Sequence, residues 1–360
     1  MDPALLHAAL LPWFDAAARP LPWRTTRDPY RVWVSEVMLQ QTQVDTVLRY
    51  YERFLARFPT VEALAAADDE DVRALWSGLG FYRRARNLHA AARRVVAEHG
   101  GVVPRDPAAL GALPGLGRYT VGAVLSIAHD DALPLVDGNV ARVLARLFRV
   151  PGDPTAGPAL RRLWSLAERL VPRRRPGDWN QALMELGATV CRPTSPRCEA
   201  CPLAAWCEAR AAGEVERFPE PRRRAKVVAQ RRAAVCLVRP DGAFLLARRP
   251  DDGLLAGLWE LPAVDLAPRE RPATAARRLA RSLGAGDARL VRVGQAEHQF
   301  THRHWTVDVF RGDASVTPGA GRWVTPGDLE ALGVPTASRK VLAEAGVLAI
   351  RPAAASARPR

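Results

Sequence analysis

The sequence predicts a multidomain chain: an all-α region over residues 1–207, a basic linker over 208–230 and a smaller α/β domain over 231–348. Three observations carry this. Asp28-Pro29 and Asp106-Pro107 each read as a helix cap followed by proline at the first helical position, where no N–H is needed. Helical periodicity continues through residues 139–149 and 159–170. The texture then changes. Residues 208–230 are polar and basic, with Pro219, Pro221 and Arg222-Arg223-Arg224. Beyond them, Ala233–Val238 and Phe244–Ala247 read as strands around the Pro240-Asp241-Gly242 turn, and Trp305–Phe310 as a further strand. Residues 274–283 read as a helix, and residues 349–360 as a loose tail.

Composition narrows the function classes. Hydrophobic residues make up 48% of the 360, which suits a globular chain with real cores. Fifty-two basic residues face 38 acidic ones, a formal charge of +14, so a polyanionic partner is expected, nucleic acid first. Only Lys226 and Lys340 are lysines, and an arginine-rich codon bias gives the same excess without any such partner. No run of about 18 apolar residues exists to span a bilayer, and Met1-Asp2-Pro3 lacks the basic start of a signal peptide. The expectation is a cytoplasmic, monomeric protein with no membrane partner. Five cysteines in that compartment point to metal or chemistry rather than disulfides.

Cys191, Cys198, Cys201 and Cys207 follow the spacing C-x6-C-x2-C-x5-C, with Pro193, Pro196 and Pro202 tightening the loop. Four thiolates suit zinc or a [4Fe–4S] cluster. Cys236 lies in an expected core strand and reads as an inert buried thiol.

Leu113-Pro114-Gly115-Leu116-Gly117-Arg118-Tyr119-Thr120 lies between helical segments. Its two glycines, Gly115 and Gly117, permit a tight turn whose amides, with the next helix's N-terminus, receive a phosphate oxygen without reading a base. Asp137, in Val136-Asp137-Gly138-Asn139-Val140, sits at a helix start, where the dipole favours its ionised form; taken alone it is an ordinary cap. The order hairpin, aspartate, cysteine loop resembles the helix–hairpin–helix DNA glycosylase superfamily, which flips a base from the duplex and cuts its N-glycosidic bond. The cysteine spacing resembles the cluster loop of its endonuclease III-like members, which implies a [4Fe–4S] cluster on Cys191, Cys198, Cys201 and Cys207. The resemblance makes Asp137 the carboxylate that stabilises an oxocarbenium-like sugar. It also divides the helical region into a six-helix part over residues 27–135 and a cluster part from 1–26 plus 136–207.

Bifunctional members carry a lysine where this chain has Tyr119. A phenol forms no Schiff base, so water is the expected final nucleophile and the enzyme is expected to be monofunctional. Glu36 has Val32, Trp33, Leu39 and Gln40 as helical neighbours. Burial among them raises a carboxyl pKa, whereas Asp137 is expected to stay ionised, a division into acid and base. By itself Glu36 also reads as a buried glutamate with a local partner.

Pro22-Trp23-Arg24, the run Trp33–Thr42 and Gly78-Leu79-Gly80-Phe81-Tyr82-Arg83-Arg84-Ala85-Arg86 resemble the adenine DNA glycosylase (MutY) family. The resemblance implies that double-stranded DNA with adenine opposite 8-oxoguanine or guanine is the substrate, and that Glu36 protonates adenine N7. It places Asn139 beside Asp137 and the attacking water, and lines the adenine pocket with Leu21, Trp23, Arg24, Tyr119, Gln181 and Met184. It implies a phosphate contact for Arg19, and makes Gln41 and Phe81 wedges in the base stack, although the family more often has tyrosine at the second position.

Gly253–Pro262 resembles part of that family's C-terminal domain, which shares the Nudix fold. An active Nudix helix needs R-E-U-x-E-E-x-G for magnesium. Here the aligned residues run Arg277-Arg278-Leu279-Ala280-Arg281-Ser282-Leu283-Gly284, with all three glutamates gone. Diphosphate hydrolysis is therefore not expected, and the basic helix suits a place near DNA. Phe300-Thr301-His302 resembles the F-S-H loop that reads 8-oxoguanine, with Thr301 in place of serine. The competing readings are an endonuclease III-like lyase, a metal-organised DNA-binding protein without catalysis, and a Nudix hydrolase.

Overall fold

The computed structural model describes residues 2–220, 227–313 and 321–348. Arg222-Arg223-Arg224 of the expected linker and the expected tail, residues 349–360, lie outside the described residues. The chain divides into two compact units, the first from residues up to Ala66 and again from Asn87 through the cysteine loop, the second from Ala67–Arg86 and the C-terminal α/β part. Among the described residues, no helix is long and apolar enough to cross a membrane.

The helices in chain order begin with α1 (Pro3–Ala17), α2 (Pro29–Leu39), α3 (Val44–Arg57), α4 (Val61–Ala65), α5 (Asp69–Trp76) and α6 (Arg83–His99). They continue with α7 (Pro107–Gly111), α8 (Arg118–His129), α9 (Gly138–Leu147), α10 (Gly157–Leu170), α11 (Pro176–Thr189) and α12 (Glu208–Ala211). Both expected caps form. The Asp28 carboxylate accepts from the Tyr30 amide at 2.8 Å, and that of Asp106 from Ala109 at 2.8 Å, satisfying donors that a helix start leaves open.

The middle of the first unit is α2 packed on α8. Val32 through Met38 are all buried on α2, as are Thr120 through Ala128 on α8. Helices apolar on every side belong inside a domain, and here they bring residue 36 opposite residue 119. In turn, α11 packs on α1, α8 and α9, which places the start of α9 beside the same cavity. The hairpin is the six-residue turn from α7 to α8. Gly115 there has φ +81°, and a Cβ on it would sit 2.7 Å from that of Asn87, so its glycine is required twice over.

Residues 208–220 do not run as a polar linker. They form α12 and a short turn, burying Ala209 and Phe218 on the first unit. Two apolar side chains in a charged stretch are enough to dock it. The first strand likewise begins at Val228, before the expected boundary.

The second unit is a mixed sheet of β1 (Val228–Val238), β2 (Phe244–Arg248), β3 (Trp259–Glu260), β4 (Ala263–Asp265), β5 (Val291–Gln299), β6 (Arg303–Asp313) and β7 (Arg322–Val324). Its order is β3-β2-β1-β6-β5, with β1 parallel to β6, and with β4 on β1 and β7 on β2. Alternation along β1 feeds two cores. Ala233, Val235 and Leu237 meet α13 (Pro272–Ser282), while Ala234, Cys236 and Val238 share a cluster with Val341 and Leu342 of α14 (Thr336–Glu344). Residues 67–86 join this unit through polar contacts: Trp259 Nε1 donates to Glu70 at 3.0 Å and Ser77 Oγ to the Val334 carbonyl at 2.6 Å.

Candidate active site and cysteine loop

One cavity of about 1020 Å³ in the first unit gathers most of the expected site. Its walls include Arg19, Leu21, Trp23, Arg24, Glu36, Gln41, Gly115, Gly117, Tyr119, Asp137, Asn139, Gln181 and Met184. At its base the Tyr119 hydroxyl donates to Glu36 Oε2 and lies 3.7 Å from Met184 Sδ. Glu36 is only 3% exposed. Burial pushes its carboxyl up, the Tyr119 hydrogen bond pulls it down, the Asp137 charge pushes it up and the Arg24 charge pulls it down, for a pKa of about 7. The same desolvation holds the Tyr119 phenol far above its ordinary range, so it stays a donor.

Asp137 caps α9. Its Oδ1 accepts from the Val140 amide at 2.6 Å, and its Oδ2 from Asn139 Nδ2 at 3.0 Å. The cap and the helix dipole favour the anion, as expected, but desolvation outweighs them and moves the carboxyl above its ordinary value. Sequence spacing cannot show that the cap faces a cavity. Asn139 is itself fixed, its Oδ1 accepting from Arg142 Nη2 at 2.8 Å, and Arg142 Nε donates to the Cys191 carbonyl at 2.7 Å. Gly187 of α11 makes room for this corner, since a Cβ there would sit 2.6 Å from that of Asn139.

Trp23 and Leu21 are each 6% exposed, so both line the cavity from within the core, with Trp23 edge-on to Tyr51 at 5.3 Å. Gln41 is exposed just past the end of α2 with φ +57°, a left-handed backbone that a non-glycine residue holds only at a cost. Gly117 caps α8 with ordinary φ −84° and open space where a side chain would stand. Its lack of a side chain leaves the α8 amides approachable.

Arg19 is held rather than free. Its Nε and Nη2 lie 2.6 and 2.9 Å from the two carboxylate oxygens of Glu185. Arg24 Nη2 reaches Glu185 Oε2 at 2.8 Å. Glu185 was not among the expected site residues, although Gln181, Met184, Glu185 and Ala188 follow helical spacing along one wall. Gln40, whose amide donates to Thr120 Oγ1 at 3.1 Å, and Arg142 were likewise not anticipated.

The four loop cysteines are partly buried and unpaired. Burial pushes the Cys198, Cys201 and Cys207 thiols up, Cys201 to about 11, and the charge of the other cysteines adds to it. Among the described residues, no group of three or more His, Cys, Asp or Glu side chains is placed to hold a single metal ion. Arg146, 1% exposed, anchors the loop: its guanidinium donates to Cys191 Sγ at 3.3 Å and to the carbonyls of Arg192, Pro193 and Phe218 at 2.7, 3.1 and 2.8 Å.

The remaining expected residues belong to the second unit. Phe81 has φ +48° and is 46% exposed. In the β5–β6 turn, Phe300 packs edge-on between His298 and Trp305 at 4.5 and 4.8 Å, leaving Thr301 and His302 exposed. On α13, Arg278, Arg281 and Ser282 are exposed where a Nudix helix needs its glutamates, and Arg277 beside them is exposed as well.

Comparison with known proteins matches two successive stretches of the chain. The profile of the HhH-GPD superfamily base excision DNA repair proteins matches residues 34–169, and that of the NUDIX domain residues 233–344. The chain is 40% identical over 399 residues to the adenine DNA glycosylase of Mus musculus, covering 94% of this chain and 78% of the relative. It is 40% identical over 397 residues to that of Homo sapiens, covering 93% and 73%. A thermostable thymine-DNA glycosylase structure superposes with a TM-score of 0.53 and 31% identity, over 58% of this chain and 97% of that one.

Proposed function

This chain belongs to the adenine DNA glycosylase family, N-glycosylases that remove adenine from DNA in base excision repair, and we propose that its substrate is adenine opposite 8-oxoguanine or guanine, processed without a lyase step. The observation that carries this reading is the buried Glu36, its carboxyl raised to about 7 and hydrogen-bonded by Tyr119, in one cavity with the Asp137–Asn139 pair.

The hairpin amides around Gly115 and Gly117 hold a phosphate, and Gln41 and Phe81 each wedge into the base stack. Base–aromatic stacking of about 1–3 kcal/mol offsets a flip that costs a few kcal/mol. Within the pocket of Leu21, Trp23, Arg24, Gln181 and Met184, Glu36 gives its proton to adenine N7. The C1′–N9 bond breaks with its electron pair going to the base. The Asp137 carboxylate stabilises the sugar cation, water guided by Asn139 adds its hydroxide to C1′, and the water's other proton restores Glu36. Tyr119 cannot form a Schiff base, so the product is an intact strand with an abasic site. Phe300, Thr301 and His302 read the oxidised guanine, and the added methyl of Thr301 narrows that contact relative to serine. The enzyme works as a monomer.

Cys191, Cys198, Cys201 and Cys207 would hold a [4Fe–4S] cluster, whose bound form ties the loop at four points and can carry an electron. The donor set fits it. All four candidate ligands are thiols, and the buried Arg146 guanidinium, whose other partners are neutral carbonyls, needs an anion such as a thiolate. Cys198→Ser is expected to abolish the purified protein's visible absorbance and weaken duplex binding; undiminished absorbance per chain would contradict the ligand set.

The direct test is single-turnover cleavage of duplexes with adenine opposite 8-oxoguanine, guanine or thymine, with and without later alkali. Breaks that need alkali and occur with the first two partners are expected. Breaks without alkali, or a covalent adduct trapped by borohydride, would mean lyase chemistry.

A further inference from the structure

Glu185 is the most completely buried carboxylate in the cavity wall that the proposed reaction leaves without a task. Its side chain has no exposed surface, and it binds two guanidinium groups at once: Arg19 through Nε and Nη2, and Arg24 through Nη2. Arg24 is further fixed by donating from Nη1 to the Arg19 carbonyl at 3.0 Å. Burial works to raise the Glu185 carboxyl, but hydrogen bonds from Arg19 and then Arg24 outweigh it and keep it ionised. Two fixed cations and one fixed anion leave a single net positive charge on the wall. Burying the Glu185 charge is expensive, and its ion pairs are weak evidence for stability in themselves.

We propose that Glu185 is a positioning residue for the general acid: it holds Arg24 at a fixed distance from Glu36 and cancels one of the two guanidinium charges, so that Glu36 keeps its proton until adenine takes it. This rests on the reading of Glu36 as the acid. The groups around Glu36 are consistent with it. Tyr119 on α8 and Asp137 at the head of α9 face it, Arg24 acts on it from the Pro22–Arg24 turn, and Asp45 of α3 and Arg142 of α9 line the same cavity. The Arg24 charge already draws the Glu36 carboxyl down, so the cation must not be stronger than it is.

Two substitutions move that charge in opposite directions. Glu185→Gln removes the anion; Arg19→Gln removes one cation. Single-turnover adenine release on the 8-oxoguanine duplex, measured across pH at saturating enzyme, reads the difference. Glu185→Gln is expected to stay within a few-fold of the parent at acidic pH and to lose about a further tenfold at alkaline pH, the equivalent of one pKa unit. Arg19→Gln is expected to extend activity toward higher pH, and Glu185→Asp to restore the parent profile in part. A uniform loss at every pH, or shifts of the same sign from both glutamine variants, would overturn the proposal. A carboxyl infrared titration of Glu36 in the parent and both variants needs no turnover. If the parent releases no adenine, the acid role of Glu36 fails, while the titration still decides whether Glu185 sets its proton affinity. Should Glu185→Gln not fold, Arg19→Gln and the titration decide the matter alone.

Discussion

Replacing Glu36 with glutamine is expected to lower single-turnover adenine release by about 10²–10⁴-fold, the usual contribution of a general acid, with duplex affinity nearly unchanged. Glutamine has the same shape and its carbonyl can accept the Tyr119 hydroxyl as Glu36 does. It has no proton for adenine N7. Because Glu36 is buried at 3% exposure, replacing an ionisable group by a neutral amide should not lower stability. Thermal melting and duplex titration of the variant therefore separate chemistry from folding. A variant that cleaves within a few-fold of the parent would remove Glu36 from the mechanism.

Asp137→Asn is expected to cost about 10²–10³-fold in the same assay, the scale of losing one preorganised electrostatic stabiliser. Asparagine caps helices about as well as aspartate, and its carbonyl can still accept from the Val140 amide. What disappears is the negative charge facing the developing sugar cation. The loss should be fullest at alkaline pH, where the parent's Asp137 is ionised, and shrink as falling pH protonates the parent's raised carboxyl. If the variant instead melted several degrees lower and lost binding and cleavage together, Asp137 would be only the cap that its sequence position first suggests.

Much of this was legible because the relevant signals are local. The aspartate–proline caps, the glycine hairpin and the apolar neighbours of Glu36 each act over one turn of helix, and each reappears in the structure. What escaped was set by distant chain. Glu185 reads as an ordinary helix acid until α11 is seen to bring it to Arg19, 166 residues away. Arg146 reads as the polar side of α9, yet its partners come from the cysteine loop and Phe218. Residues 67–86 carry helix signals but nothing that names the C-terminal unit as their neighbour. The direction in which Asp137 moves has the same origin, since its cap is local and its desolvation is not.

The central claim, that a protonated Glu36 drives adenine release, is tested most directly by the pH dependence of the parent enzyme's single-turnover rate. Folding raises the Glu36 carboxyl from 4.5 to about 7, so the working, protonated form is dominant below that value and declines as pH rises through it. The expected result is a rate that falls about tenfold per unit on the alkaline side, with the fall absent from Glu36→Gln. A parent rate that stays level or climbs across neutrality into the alkaline range would contradict the account.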